Sequence, residues 1–347
     1  LNNNHDLVDG NNFQGTGAGV GNTGIYVTAI GGNAGQSNSG NHLVALGQDA
    51  GFQNTGTEVI SIGSESGKEN SGNDVVALGA ASAFQNTGTN VIFLGQAAGD
   101  TNTGSEVIGL GNGATQNNTG SYVVSLGTGA GQDNTANSLI AIGESAGYLD
   151  TGEVLTAIGI GAGYENSGVN VIGIGISAAS QNSGSYIVAL GSNAAELNTA
   201  SDIIALGRGA GKENSGNDLI TLGVGSAYQN TGNDVISLGR DAGQSNTGTS
   251  VIGIGYNAAT ENSGNDVVAL GNSAGKSNTG GDVIALGRGA GQNNSLTGMT
   301  IISNNSLPSY VDRAAAVAAI TVILGGSTGN TYLYYNQTTF AIEGVRL

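Results

Sequence analysis

A glycine returns at one constant interval, at Gly15, Gly31, Gly47, Gly63, Gly79 and so on to Gly287, with no insertion or deletion in eighteen copies. A constant period over that span means that each copy stacks on the last in the same pose. Sixteen residues are too few for a helix pair or a propeller blade. Before each anchor glycine lies an aliphatic tetrad, as in "DVISLG" (Asp234 to Gly239), rich in Val and Ile. After it come Gly, Ala, Asn, Ser and Thr. The first part favours a strand and the second favours turns. One strand plus tight turns, with a second short strand through the alanine, makes one coil of a solenoid. The expected fold is an all-β parallel β-solenoid (β-roll) of about 18 coils of 16 residues.

Composition agrees. Of 347 residues 64 are glycine and 1 is proline, and only 10% are charged. So much glycine disfavours helices, at about 1 kcal/mol per position relative to alanine. The abundance of β-branched residues argues against disorder. No cysteine is present, which excludes disulfides and thiolate metal sites. The formal net charge is −17, and the eight basic residues are scattered, so binding of nucleic acid is not expected. The apolar run Ala314 to Leu324 is too short for a membrane span of about 20 residues, and no membrane insertion is expected. The start, Leu1 to Asn12, is polar, and no signal peptide is expected within it.

Stacking turns repeat positions into columns about 4.8 Å apart. From the second anchor on, the residues one and three before it are Ile, Leu or Val, apart from Thr28 and Thr156. They share parity and are expected to fill the interior. The alanine three after the anchor would face them across a narrow lumen. Seven after the anchor stands Asn in every copy but one, where Asp150 replaces it. Asn54, Asn70, Asn86, Asn102, Asn118 and Asn134 are expected to form a hydrogen-bonded ladder. Ser or Thr follows, then usually Gly, which would allow a positive φ at that corner.

By the same parity, the aliphatic residue four before the anchor should point outward. This column includes Val59, Val75, Val91, Val107, Val123, Leu139, Val235 and Val251. An outward stripe of that length exceeds what soluble monomers expose. It is expected to be an oligomer seam, unless the coil is wide enough to bury both faces. Eighteen coils at this spacing would give a rod of roughly 85 Å.

Three parts are expected: an N-terminal cap over 1–14, the repeat solenoid over 15–303, and a C-terminal β-rich cap or tip over 304–347. "MTIIS" (Met299 to Ser303) reads as a decayed further coil. In the last part, Tyr310 to Ile320 suits a short helix, and "TVILGG", "TYLYYN" and "FAIEGVRL" read as strands. Tyr310, Tyr332, Tyr334 and Tyr335 cluster there. They are candidate contacts of a tip, or the packing of a small β cap.

The unit "VIALG-x-x-A" resembles the "SVAIG-x-x-A" repeat of YadA-like head domains in trimeric autotransporter adhesins and related phage and virus fibre proteins. The resemblance covers about Gly15 to Gly298. It implies left-handed parallel β-rolls packed side by side as homotrimers. The coil of the adhesins is usually somewhat shorter, and no heptad stalk or outer-membrane anchor is expected after the repeats. The segment "DRAAAVAAI…VRL" is similar instead to the terminal tips of virion fibre proteins.

Catalytic constellations are not expected. "GTGAGVG" (Gly15 to Gly21) lacks the lysine of a phosphate loop, and His5 and His42 are the only histidines. An acidic column eleven after the anchor (Glu58, Asp74, Glu106, Asp202, Asp218, Asp234, Asp266, Asp282) reads as solvated surface, with weak cation binding as the alternative. The single Thr/Ser column, Ser in seven of eighteen copies, argues against an ice-binding face. The expected function is a structural fibre or spike protein with no enzymatic activity and no cofactor. It would be a virion (phage tail or capsid) fibre that positions a tip against a host surface receptor, a glycan or another virion or cell-surface structural protein. The alternatives are a bacterial surface adhesin head or a subunit of an extracellular filament. The expected location is the virion surface or the cell exterior.

Overall fold

The computed structural model describes residues 10–303 and, by their backbone, the strands Thr321–Gly326, Gly329–Asn336 and Ala341–Arg346. The chain divides into two compact units, Leu1–Gln181 and Asn182–Leu347. Unit 1 holds β1 (Asn12–Gln14) and β2 (Thr28–Ile30), then one short strand in every coil from β3 (Leu43–Leu46) to β11 (Val171–Ile174). Neighbouring strands pair in parallel, with Leu43 opposite Val59 and Val59 opposite Val75. Unit 2 repeats the plan from β12 (Ile187–Leu190) to β18 (Val283–Leu286), and β19 (Met299–Ser303) follows in register, with Met299 opposite Val283. Then β20 (Thr321–Gly326) pairs in parallel with β19, and β21 (Gly329–Asn336) and β22 (Ala341–Arg346) add antiparallel. The fold is thus an all-β parallel β-solenoid whose turns follow the constant interval of the anchor glycines, with no α-helix among the described residues. The helix expected over Tyr310 to Ile320 lies outside the described residues.

The rest of each coil is not a second strand. Positive φ alternates along it, as at Asp49 (φ 54), Gly51 (φ 59) and Gln53 (φ 54). The N–H groups of these alternate residues go to opposite neighbours. Asp49 N–H donates back to the Gly32 carbonyl, Gly51 forward to that of Ser66, and Gln53 back to that of Gln36, each at 2.8 Å. The N–H groups between them close turns within the coil, Ala50 on the Gly47 carbonyl and Phe52 on that of Asp49, so the backbone is satisfied without a long sheet.

Glycine serves two needs here. At the anchor it supplies a backbone conformation: Gly47 has φ 139, and a Cβ there would lie 2.5 Å from the Gly63 carbonyl oxygen. At the corner after the Asn and Ser/Thr columns the expectation of positive φ fails. Gly56 has no such φ, but a Cβ on it would lie 1.9 Å from the Gly72 carbonyl oxygen. Close stacking of coils, not left-handed backbone, selects glycine there.

The interior is the reverse of the parity expected from the sequence. Val59, Val75, Val91, Val107, Val123, Leu139, Val235 and Val251 are buried, at 0–1% exposure. In the column two residues further on, Ala45, Ser61, Ala77 and Phe93 are buried too. The aliphatics one and three before the anchor face outward, as Ile60 and Ile62 do. These valines and leucines are therefore core, not an outward seam. The reason is the narrow width of the coil. The wall opposite the strand is Ala50 and Gly51, and a Cβ on Gly51 would already be 3.0 Å from Leu43 Cδ2 and 3.2 Å from Ala45 Cβ. Beside Ala50 and Gly51 that lumen takes one aliphatic and one small residue, and two Ile or Leu side chains would overfill it there.

Across this lumen, sizes are matched. Phe93, the largest inward residue of its column, faces Gly99, where a Cβ would meet three ring atoms at 2.4 Å. Gly109 faces Thr115, whose Oγ1 would be 2.4 Å from a Cβ on the glycine, and Gly173 and Gly253 face Ala179 and Ala259. Gly99→Ala should therefore destabilise by about 1–3 kcal/mol, read as a lower urea midpoint. Adding Phe93→Ala, which recreates the Ala77/Ala83 pairing of the preceding coil, should restore part of the loss. The inward hydroxyls of Ser61, Ser125 and Ser237 find no hydrogen-bond partner among the described residues. Alanine fills the same column at Ala45 and Ala77. Ser61→Ala and Ser237→Ala should each stabilise by about 1 kcal/mol. An unchanged or lowered melting temperature would show that the hydroxyls are bonded.

Candidate functional site: the outer faces of the coil

The columns of the coil differ in chemistry, each placed by its position in the coil. Along the strand, the outward residues form an aliphatic face: in unit 1 from Ile60 and Ile62 through Ile92, Leu94 and Ile140 to Ile172 and Ile174, and in unit 2 through Ile204, Ile220, Leu222, Ile254 and Ile284. Each of these is about 36–49% exposed. No charged residue occurs at either position in any coil. Paired strands in register hold these side chains side by side within each unit. The parity argument missed it because both faces of the tetrad are aliphatic. The available signal was size, since only the inward column carries Ala, Ser and Gly.

At the corner opposite the strand runs the asparagine ladder. Asn54 Nδ2 donates to Asn38 Oδ1 at 2.8 Å and to the Gly56 carbonyl at 2.7 Å. The same rung recurs at Asn70, Asn86, Asn102, Asn118 and Asn134, with distances of 2.7–2.8 Å. The rungs are buried, so the ladder is internal glue and not a surface for ligands. In unit 2 it runs from Asn198 on Asn182 to Asn294 on Asn278.

Asp150 breaks the pattern. Its Oδ1 accepts from Asn166 Nδ2 at 3.0 Å and from the Gly152 N–H at 3.2 Å. Its Oδ2 is buried without a partner. In the asparagine rungs that place is held by an amide nitrogen donating to two oxygens. Burial pushes the Asp150 carboxyl up to about 7, against the lowering effect of the bonds from Asn166 and Gly152. With its proton, Oδ2 supplies the missing donor.

The acidic column precedes each strand. Glu58, Asp74, Glu106, Asp202, Asp218, Asp234, Asp266 and Asp282 all have φ between 52 and 61. Short Asp and Asn side chains are among the few that tolerate this left-handed geometry, so backbone conformation accounts for part of the preference. Among the described residues no group of three or more His, Asp or Glu could hold a metal ion.

On the turn side, the column five after the anchor carries aromatic and basic residues. The Lys68 ammonium lies between the rings of Phe52 and Phe84, at 5.8 and 5.7 Å from their centroids, and pairs with Glu65 at 3.2 Å. Tyr148 and Tyr164 stack at 5.3 Å. Of the four tip tyrosines, Tyr310 lies outside the described residues, and Tyr332, Tyr334 and Tyr335 fall on β21, which is described by its backbone. No family model, no curated protein and no solved structure matches this chain.

Proposed function

We propose that the chain is a structural fibre protein whose coils pack side by side with two further copies, with residues beyond 303 as the part that meets a host or partner surface. The observation that carries this reading is the exposed, uncharged aliphatic face on the strand side of both units. From ~4.8 Å between strands and ~3.3 Å per residue, it projects about 600 Å² in unit 1 and about 500 Å² in unit 2. Each lies in the upper part of the roughly 300–600 Å² that the largest apolar patch of a monomer covers, a size of patch that is often a contact surface. Repetition of one coil plan suits a spacer, in which each turn adds length and the same lateral contact. The similarity of the C-terminal segment to virion fibre tips favours a virion over a bacterial adhesin.

Light scattering on the intact chain tests the assembly. A mass of three chains is expected, and a stable single chain would overturn the reading. Neighbouring genes for tail or capsid proteins are expected. An anchor domain on the same gene would favour the adhesin.

A further inference from the structure

Two charged columns border the aliphatic face, one on each edge. The acidic column lies one residue before the strand, and the position just after the anchor glycine lies beyond its other end. In unit 2 the latter position holds Arg208, Arg240 and Arg288. They are the only arginines whose side chains are described, and all three stand in this one column. Each coil that has such an arginine also has an aspartate on the opposite edge: Asp202 with Arg208, Asp234 with Arg240, Asp282 with Arg288. All six are exposed. The extended chain between them separates each pair by roughly 20 Å, so they cannot meet within one coil. Among the described residues none of the six forms an ion pair. Lysine is used differently: Lys68 and Lys212 sit in the turn column and pair within the chain, with Glu65 at 3.2 Å and Glu196 at 2.8 Å.

Geometry decides which assembly lets the edges meet. If a second copy is turned about an axis along the stacking direction, its face meets the first with the acidic edge of one beside the arginine edge of the other. If the copy is antiparallel, acid faces acid and arginine faces arginine, which is repulsive. We infer that a second copy of this chain docks on the aliphatic face in parallel, with Asp202, Asp234 and Asp282 of one chain paired at the same level with Arg208, Arg240 and Arg288 of the next. This rests on the side-by-side assembly proposed above, and adds its polarity, its register and the residues at its edge. The apolar columns supply adhesion but repeat every coil and tolerate slippage. Asp218 and Asp266 stand in the same acidic column, so a shift by one coil still brings Arg240 to Asp218 and Arg288 to Asp266, but it sets Arg208 against Tyr186; all three arginines are matched only in register.

The absence of cysteine from the sequence makes the test clean. The chain carrying both Asp234→Cys and Arg240→Cys is oxidised at low concentration and examined for mass with and without reductant. A covalent three-chain ring is expected from this double variant, and only single chains from either substitution alone. Two-chain species from Asp234→Cys alone or Arg240→Cys alone would show like edges meeting and overturn the inference. A three-chain mass without any cross-link would overturn it too, while leaving the proposed assembly standing. A single-chain mass would remove both. As a second measurement, Arg208→Asp, Arg240→Asp and Arg288→Asp together should weaken association at least tenfold. Adding Asp202→Arg, Asp234→Arg and Asp282→Arg should restore it. Failure of this restoration in a folded chain would also count against the pairing.

Discussion

Asp150→Asn is expected to stabilise the protein by about 4 kcal/mol above pH 8, and to change little near pH 4. The folded carboxyl titrates at about 7, against 3.8 for the free side chain. A carboxyl whose pKa is raised on folding contributes its full stability below the unfolded value. That contribution falls as pH climbs from about 4 and is wholly lost above about 7. The difference between the two values, at about 1.4 kcal/mol for each pH unit, gives the magnitude. Chemically, an ionised Oδ2 would place negative charge where each asparagine rung has an amide donor. Asparagine replaces it with a donor that needs no proton and closes the ladder between Asn134 and Asn166. Urea midpoints of both proteins at pH 4, 6 and 8 check this. The comparison isolates one group, because the other acidic residues titrate alike in both. A difference between the proteins that stays flat with pH would show that Asp150 is ionised in the fold.

The second large effect separates two neighbours in one strand. Leu139 is 0% exposed and Ile140 is 43% exposed. Leu139→Asp puts a carboxylate into a lumen lined by aliphatic and small residues. A loss of about 4 kcal/mol or more is expected, with collapse of the surrounding coils. Ile140→Asp leaves that interior intact. Its cost should fall on association: circular dichroism unchanged, and mass by light scattering reduced toward a single chain. Far-ultraviolet circular dichroism and mass together read both variants. Unfolding by Ile140→Asp with Leu139→Asp tolerated would reverse the assignment of faces.

These two experiments mark the boundary between what is legible in the residues and what is not. The period, the strand position and the parallel stacking follow from the spacing of Gly15 to Gly287 and from the β-branched tetrad, because identical copies at constant spacing have one economical way to bury themselves. The asparagine column is visible for the same reason: a polar residue kept at one place in every turn is positioned to bond its own copies. Which side of the strand faces in is different. Alternation assigns a face only when one side is polar, and here both sides are aliphatic, so Val59 and Ile60 are equal candidates. The width of the closed coil decides it, by setting Ala50 and Gly51 against Leu43 and Ala45 and leaving room for nothing larger. The alternating positive φ of the turns is likewise a tertiary result. Residues such as Ala81, Ala97 and Val154 would not choose it alone, and hydrogen bonds from the coils on either side hold them there.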